Sequence, residues 1–306
     1  MFAAFLSTIL FAISGVCGHR SASLIGGTEA NFWRLTSATL MLGGWSCALG
    51  IGLGGQALPL FVLSGLVGVG IGDLAMFQAL PRLGSRLSLL LIECLGPPIG
   101  ALVEWLWLGT TLSVREIGWG LLILVGVGVA LRPGDHARRD RHELTVGSLF
   151  GVLSAAATAL GAVISRKAFE VAGTGDLRVN GVDAAFQRIL GGLLLGGLCL
   201  LVVKRRAFRI QANAPRHLVV EASKRKWRKV WPWIFINSLA GQALGVSCMQ
   251  WALRTTPTGI VLSIIAVTPI VVIPLSMFFE GERPTVASLV GGAVAIGGVL
   301  GLTLVR

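Results

Sequence analysis

Few charged or polar side chains interrupt the apolar stretches of this sequence, and those few are where its chemistry has to reside. Arg34 and Arg188 lie one to two turns inside such stretches. A charge held deep in a bilayer costs about 2.5–3.5 kcal/mol even on the lenient insertion scale. Each arginine is therefore either an anion-binding group or a structural anchor that snorkels or pairs with an acid. Asp73, Glu93 and Glu104 are the acids in comparable positions, and Glu93 is the deepest. A buried carboxylate takes up a proton readily, so Glu93 is a candidate for proton coupling. Pairing with a nearby arginine or a loop is the competing reading.

The uncharged polar groups in the apolar stretches are Ser7, Thr8, Ser14, Thr158, Asn237, Gln242 and Gln250, with Phe11, Met76, Met249 and Trp251 near them. Gathered on one cavity, they make an apolar pocket with a few orienting hydrogen bonds. Facing lipid is the plainer alternative for any one of them. Pro97, Pro98, Pro269 and Pro274 also fall inside apolar stretches. Proline lacks a backbone donor and crowds the carbonyl four residues back. It frees the carbonyls of Glu93, Cys94, Ile265 and Ile270, which either face a substrate or mark inert kinks.

The expected substrate-binding set is Thr8, Gln78, Pro97, Thr158, Asn237, Gln242, Met249, Gln250 and Pro269. Arg82 and Arg254, at the ends of apolar stretches, are either gates or interfacial anchors that snorkel, and Glu93 is the candidate coupling group. No Lys occupies the centre of an apolar stretch. A phosphate substrate needs paired cations there. A zwitterion or a neutral metabolite with an apolar body suits the pattern better.

Enzyme signatures are missing. His19, His136, His142 and His217 fall in expected loops, and there is no HExxH, P-loop or GxSxG. Cys17, Cys47, Cys94, Cys199 and Cys248 lie in apolar stretches without a CxxC, so they read as packing residues. No cofactor or metal is expected.

The elements that must position these residues follow from composition. The chain has 306 residues, 54% hydrophobic and 13% charged, with a mean hydropathy of +0.80. A soluble domain averages about 25% charged residues, so lipid must solvate this one. The net charge of +12 is concentrated between Lys204 and Lys229, a membrane protein's cytoplasmic pattern rather than a nucleic-acid surface. That stretch is either a helix on the membrane surface or a solvated connector.

Ten segments reach the length of a membrane span, ~20 residues. The first five are 2–17, 29–51, 57–80, 85–108 and 114–131. The second five are 146–164, 182–203, 231–251, 258–279 and 285–305. Met1 to Cys17 lacks a basic start and reads as the first span, not a signal peptide. Gly pairs four apart, such as Gly68/Gly72 and Gly192/Gly196, read as sites of close helix packing.

The chain also writes one stretch twice. Gln78, Arg82, Pro97 and Gly109 recur as Gln250, Arg254, Pro269 and Gly281 at a constant spacing of 172 residues, ungapped over about fifty positions. Phe32-x-Arg34 recurs as Phe186-x-Arg188. An internal duplication in an apolar chain points to a transporter. Residues 1–140 and 141–306 are the expected repeats. Five helices each is an odd number, so the second repeat enters from the opposite face and is inverted. Most Lys and Arg follow odd-numbered spans, which places Lys204–Val230 in the cytoplasm and both termini outside.

With the two Phe-x-Arg motifs, the Pro97 and Pro269 helices and Gly281-Glu282, the chain resembles the drug/metabolite transporter superfamily. The likeness is to its EamA-type ten-helix branch, and most to YddG-type amino-acid exporters. The resemblance implies a central cavity lined by helices 1, 3, 4, 6, 8 and 9, and export of amino acids from the bacterial inner membrane by alternating access. The first repeat departs from the closing motif, with Gly109-Thr110 in place of Gly-Glu. Family members often have cytoplasmic termini, the reverse of the charge pattern here. Efflux of nucleobases or drug-like metabolites, and a channel-like pore, are the alternatives.

Overall fold

Lipid offers no hydrogen bonds, so backbone groups that cross it must pair along their own chain, as a helix allows. The protein is described here by a computed structural model covering residues 2–108, 113–130, 141–173, 179–210, 216–256, 258–281 and 284–305. Among the described residues every regular element is helical. The first six α-helices are α1 (Phe2–Ile25), α2 (Gly27–Leu49), α3 (Leu58–Gly65), α4 (Gly72–Leu108), α5 (Val114–Ala130) and α6 (Arg141–Gly173). The rest are α7 (Gly181–Ile210), α8 (Arg216–Asn237), α9 (Val246–Thr255), α10 (Thr258–Ile265), α11 (Thr268–Phe279) and α12 (Val286–Val305). Two π-helical segments, Leu66–Ile71 and Ser238–Gly245, join α3 to α4 and α8 to α9.

Among the described residues, five stretches are long and apolar enough to cross a bilayer: Phe2–Ile25, Leu58–Trp107, Arg141–Gly173, Gly181–Arg205 and Thr258–Phe279. Phe2 and Phe278 are each 82% exposed and Leu304 88%. That is a surface suited to lipid and not to water. The chain is a multi-pass membrane protein.

The 50-residue run Leu58–Trp107 is not one rod. Pro81 withholds a donor, and Gly84 takes φ 81° and ψ 167°, a backbone open to glycine. The chain turns there, at the boundary expected between the third and fourth spans. The basic stretch after Lys204 carries α7 on to Ile210 and begins α8 at Arg216. It thus extends two helices, where the sequence left a surface helix or a connector open; residues 211–215 lie outside the described part.

The proline-bearing pair behaves asymmetrically. The helix through Pro97 and Pro98 continues to Leu108, whereas its counterpart breaks between Ile265 and Thr268. The break survives because hydroxyls replace the lost partners. Thr268 Oγ1 donates to the Ile265 carbonyl at 2.5 Å, and Thr8 Oγ1 donates to the Ile264 carbonyl at 3.2 Å. The Ile265 carbonyl, expected to be free for a ligand, is therefore occupied.

Helices meet closely where glycine removes the Cβ. A Cβ on Gly65 would overlap the carbonyl of Arg188, and one on Gly161 would lie 2.7 Å from the Cα of Gly68. The first π segment is thereby clamped between α6 and α7. In membranes such small-residue contacts substitute for the hydrophobic drive that lipid abolishes.

Candidate functional site

The two π segments face a cavity of about 80 Å³, room for several ordered waters. It is walled by α1, α2, both π segments, α4, α6, α7, α9 and α10. The wall is mostly apolar, with Phe11, Val69, Met76, Leu89, Ile92 and Met249 prominent. Four charged side chains interrupt it: Arg34, Asp73, Glu93 and Arg188.

Asp73 organises the charged side. Arg34 Nη2 donates to Asp73 Oδ2 and also to Asn31 Oδ1 at 2.9 Å. Gln242 Nε2 donates to the same Asp73 oxygen at 2.7 Å. The Arg34 guanidinium lies 4.8 Å from the centre of the Phe77 ring, a cation–π contact. Arg188 acts electrostatically on Asp73 as well. Its Nε and Nη1 are buried without a hydrogen-bond partner, in a side chain only 2% exposed.

Local sequence explains why Arg188 is held there. Asn180 Oδ1 accepts the backbone N–H groups of Val182 and Asp183 at 2.9 Å each, a cap for the first turn of α7. Asp183 accepts from the Ser46 hydroxyl, and Gln187 Nε2 donates to the Gly52 and Gly54 carbonyls. The turn before Arg188 is thus fastened to the end of α2 and the loop after it. Close contact at Gly65 fixes the Arg188 backbone itself.

Of the residues expected to bind substrate, gate or couple, Thr158, Gln242, Met249 and Glu93 line the cavity. The others stand off it. Thr8 supports the broken helix through the Ile264 carbonyl. Asn237 Oδ1 accepts from Ser14 at 2.6 Å, and Ser14 reaches the cavity. Pro97 and Pro269 are buried in their helices. Gln250 is wholly buried and neither amide atom has a partner. Gln78 bonds Thr28 at 3.2 Å in a separate apolar groove between α4, α6 and α7. Arg82 bonds the Gln78 carbonyl and pairs with Glu143 at 3.1 Å. Arg254 is exposed at the end of α9.

Two expectations change. Arg34 and Arg188 share one cavity wall around Asp73. The paired cations thought missing are therefore present, with one of them neutralised by Asp73. The cavity also draws on α2 and α7, beyond the six helices expected. The repeated Phe-x-Arg motif was the available signal for both arginines. Nothing in the sequence tied either to Asp73.

The EamA-like transporter family model matches residues 1–132 and 145–304. No curated protein matches the chain. One solved crystal structure of a protein superposes with a TM-score of 0.64 over 99% of this chain and 96% of its own, at 18% identity. At that identity the likeness concerns the fold alone.

Proposed function

The chain belongs to the EamA-like transporter family, and from that premise we propose that it exports amino acids, aromatic and other apolar ones above all, from the bacterial inner membrane. The observation that carries this reading is the cavity itself. Helices from both halves of the chain enclose an apolar space interrupted by a few fixed charges. A substrate with an apolar body and a small charged head matches such a wall.

Export by alternating access goes with ten spans arranged as inverted repeats, residues 1–140 and 141–306. Two observations support the pairing. The π segments begin at Leu66 and Ser238, positions equivalent under the sequence duplication, and both face the cavity. Cys94 Sγ lies 3.9 Å from the carbonyl of Ala266, its own repeat counterpart 172 residues on. A residue that touches its counterpart lies beside the axis relating the two halves. In this reading Glu93, next to Cys94, couples substrate movement to protons, and the basic stretch from Lys204 faces the cytoplasm.

The test is counterflow. Proteoliposomes loaded with unlabelled phenylalanine, methionine or leucine should accumulate the labelled form transiently. Accumulation of nucleobases alone would move the substrate class. Ion conductance without counterflow would replace the carrier by a pore.

A further inference from the structure

We propose that Arg188 and Glu93 read the two ends of a zwitterion, Arg188 taking the carboxylate and Glu93 the ammonium. The assignment rests on the amino-acid reading above and adds which residues select for the two charges. It follows from the balance of charge in the cavity. Arg34 and Asp73 satisfy one another, and Gln242 occupies the same Asp73 oxygen. Removing that pair from the balance leaves one cation, Arg188, and one carboxyl group, Glu93, on the wall.

Both remaining charges lack a partner of their own. Arg188 keeps Nε and Nη1 buried with nothing to donate to. Its two free donors cannot turn to solvent, because the side chain is 2% exposed and its backbone is wedged against Gly65. Glu93 stands on the wall from the other half of α4, beyond the Gly84 turn. Among the described residues it makes no ion pair within 4.0 Å and no side-chain hydrogen bond. An unpaired buried charge is costly, and a ligand that neutralises it recovers that cost on binding.

Ligand polarity follows from the positions. The anionic end belongs beside Arg188, because the neighbouring Asp73 carboxylate is already paired with Arg34. The cationic end belongs at Glu93. The apolar body then lies against Met76, Leu89 and Met249, and methionine adapts readily to side chains of different shape.

The test uses one apolar body with its charges removed in turn. In wild-type proteoliposomes, phenylalanine should compete in counterflow about tenfold or more better than phenylalaninamide, which lacks the carboxylate. It should exceed 3-phenylpropionate, which lacks the ammonium, by a similar factor. Arg188→Gln should erase the preference over the amide and Arg188→Lys should restore part of it. Glu93→Gln should erase the preference over 3-phenylpropionate and leave the other discrimination in place. If a variant fails to fold, as thermal unfolding in detergent would show, the analogue series on the wild-type protein still decides. Equal competition by phenylalanine and either analogue would overturn the assignment while leaving amino-acid transport intact. Failure of every amino acid to exchange would remove both readings together.

Discussion

Asp73 shows how much one residue can be asked to hold in a poorly solvated wall. It accepts from Arg34 and Gln242 and lies in the field of Arg188. Removing one partner of a buried pair strands the other, at a cost of about 3–5 kcal/mol. Asp73→Asn should therefore lower the unfolding temperature in detergent sharply. The double change Arg34→Met with Asp73→Leu should cost less than Asp73→Asn alone, since Arg34 is not left stranded. A double variant less stable than the single would contradict the pairing. Each of these residues was visible in the sequence as an expensive charge. Their meeting was not, because positions 39 residues apart in the chain are joined only by helix packing. Thr8 misled for a related reason. A hydroxyl amid apolar residues reads as a ligand group, but this one is shared between backbone carbonyls, of Ala4 in its own helix and of Ile264 in the broken one.

Among the elements, punctuation was legible and widening was not. Pro81 and Gly84 mark the turn inside α4 in plain sequence. The π segments carry no comparable mark, since a wider turn needs only small residues and room. That room comes from glycines facing other backbones. Gly65→Ala should destabilise the protein by about 1–3 kcal/mol, because the added methyl meets the Arg188 carbonyl, which cannot swing aside. Thermal unfolding and counterflow should fall together, since the same contact seats Arg188. A further tie joins α1, the second half of α4 and the end of α11. His19 Nδ1 stands 3.0 Å from Glu280 Oε1, and the Ser85 N–H donates to Oε2 at 3.3 Å. Burial opposes the charge on Glu280, but the adjoining His19 imidazole, with the Ser85 groups, outweighs it. They hold the carboxyl below its ordinary value of 4.5. A depressed pKa contributes stability that is complete above the unfolded value and disappears as pH falls through the folded one. From about pH 6 down to about pH 3, wild type should lose unfolding temperature more steeply than Glu280→Gln. Parallel curves would mean that the tie contributes nothing to stability.

At the scale of the whole molecule, the duplication and the cavity make one demand on topology. Equivalent residues at the helix ends of inverted repeats must face opposite sides of the membrane. Arg82 and Arg254 occupy equivalent positions at the ends of their helices, and neither lines the cavity. In a background freed of Cys17, Cys47, Cys94, Cys199 and Cys248, each arginine can be replaced singly by cysteine. With an impermeant maleimide on intact cells, Arg254→Cys should label at once. Arg82→Cys should label only after permeabilisation, because the positive-inside pattern puts its side with the basic stretch in the cytoplasm. The reverse assignment would keep the inversion and flip the protein's orientation, making both termini cytoplasmic. Labelling of both sites from the same face would be incompatible with inverted repeats. The π segments and the Cys94–Ala266 contact would then need another origin. The cavity would also lose the geometric reason for opening alternately to either side: two halves that run in opposite directions present the same wall to opposite compartments, so exchanging their conformations reverses the opening without moving the site.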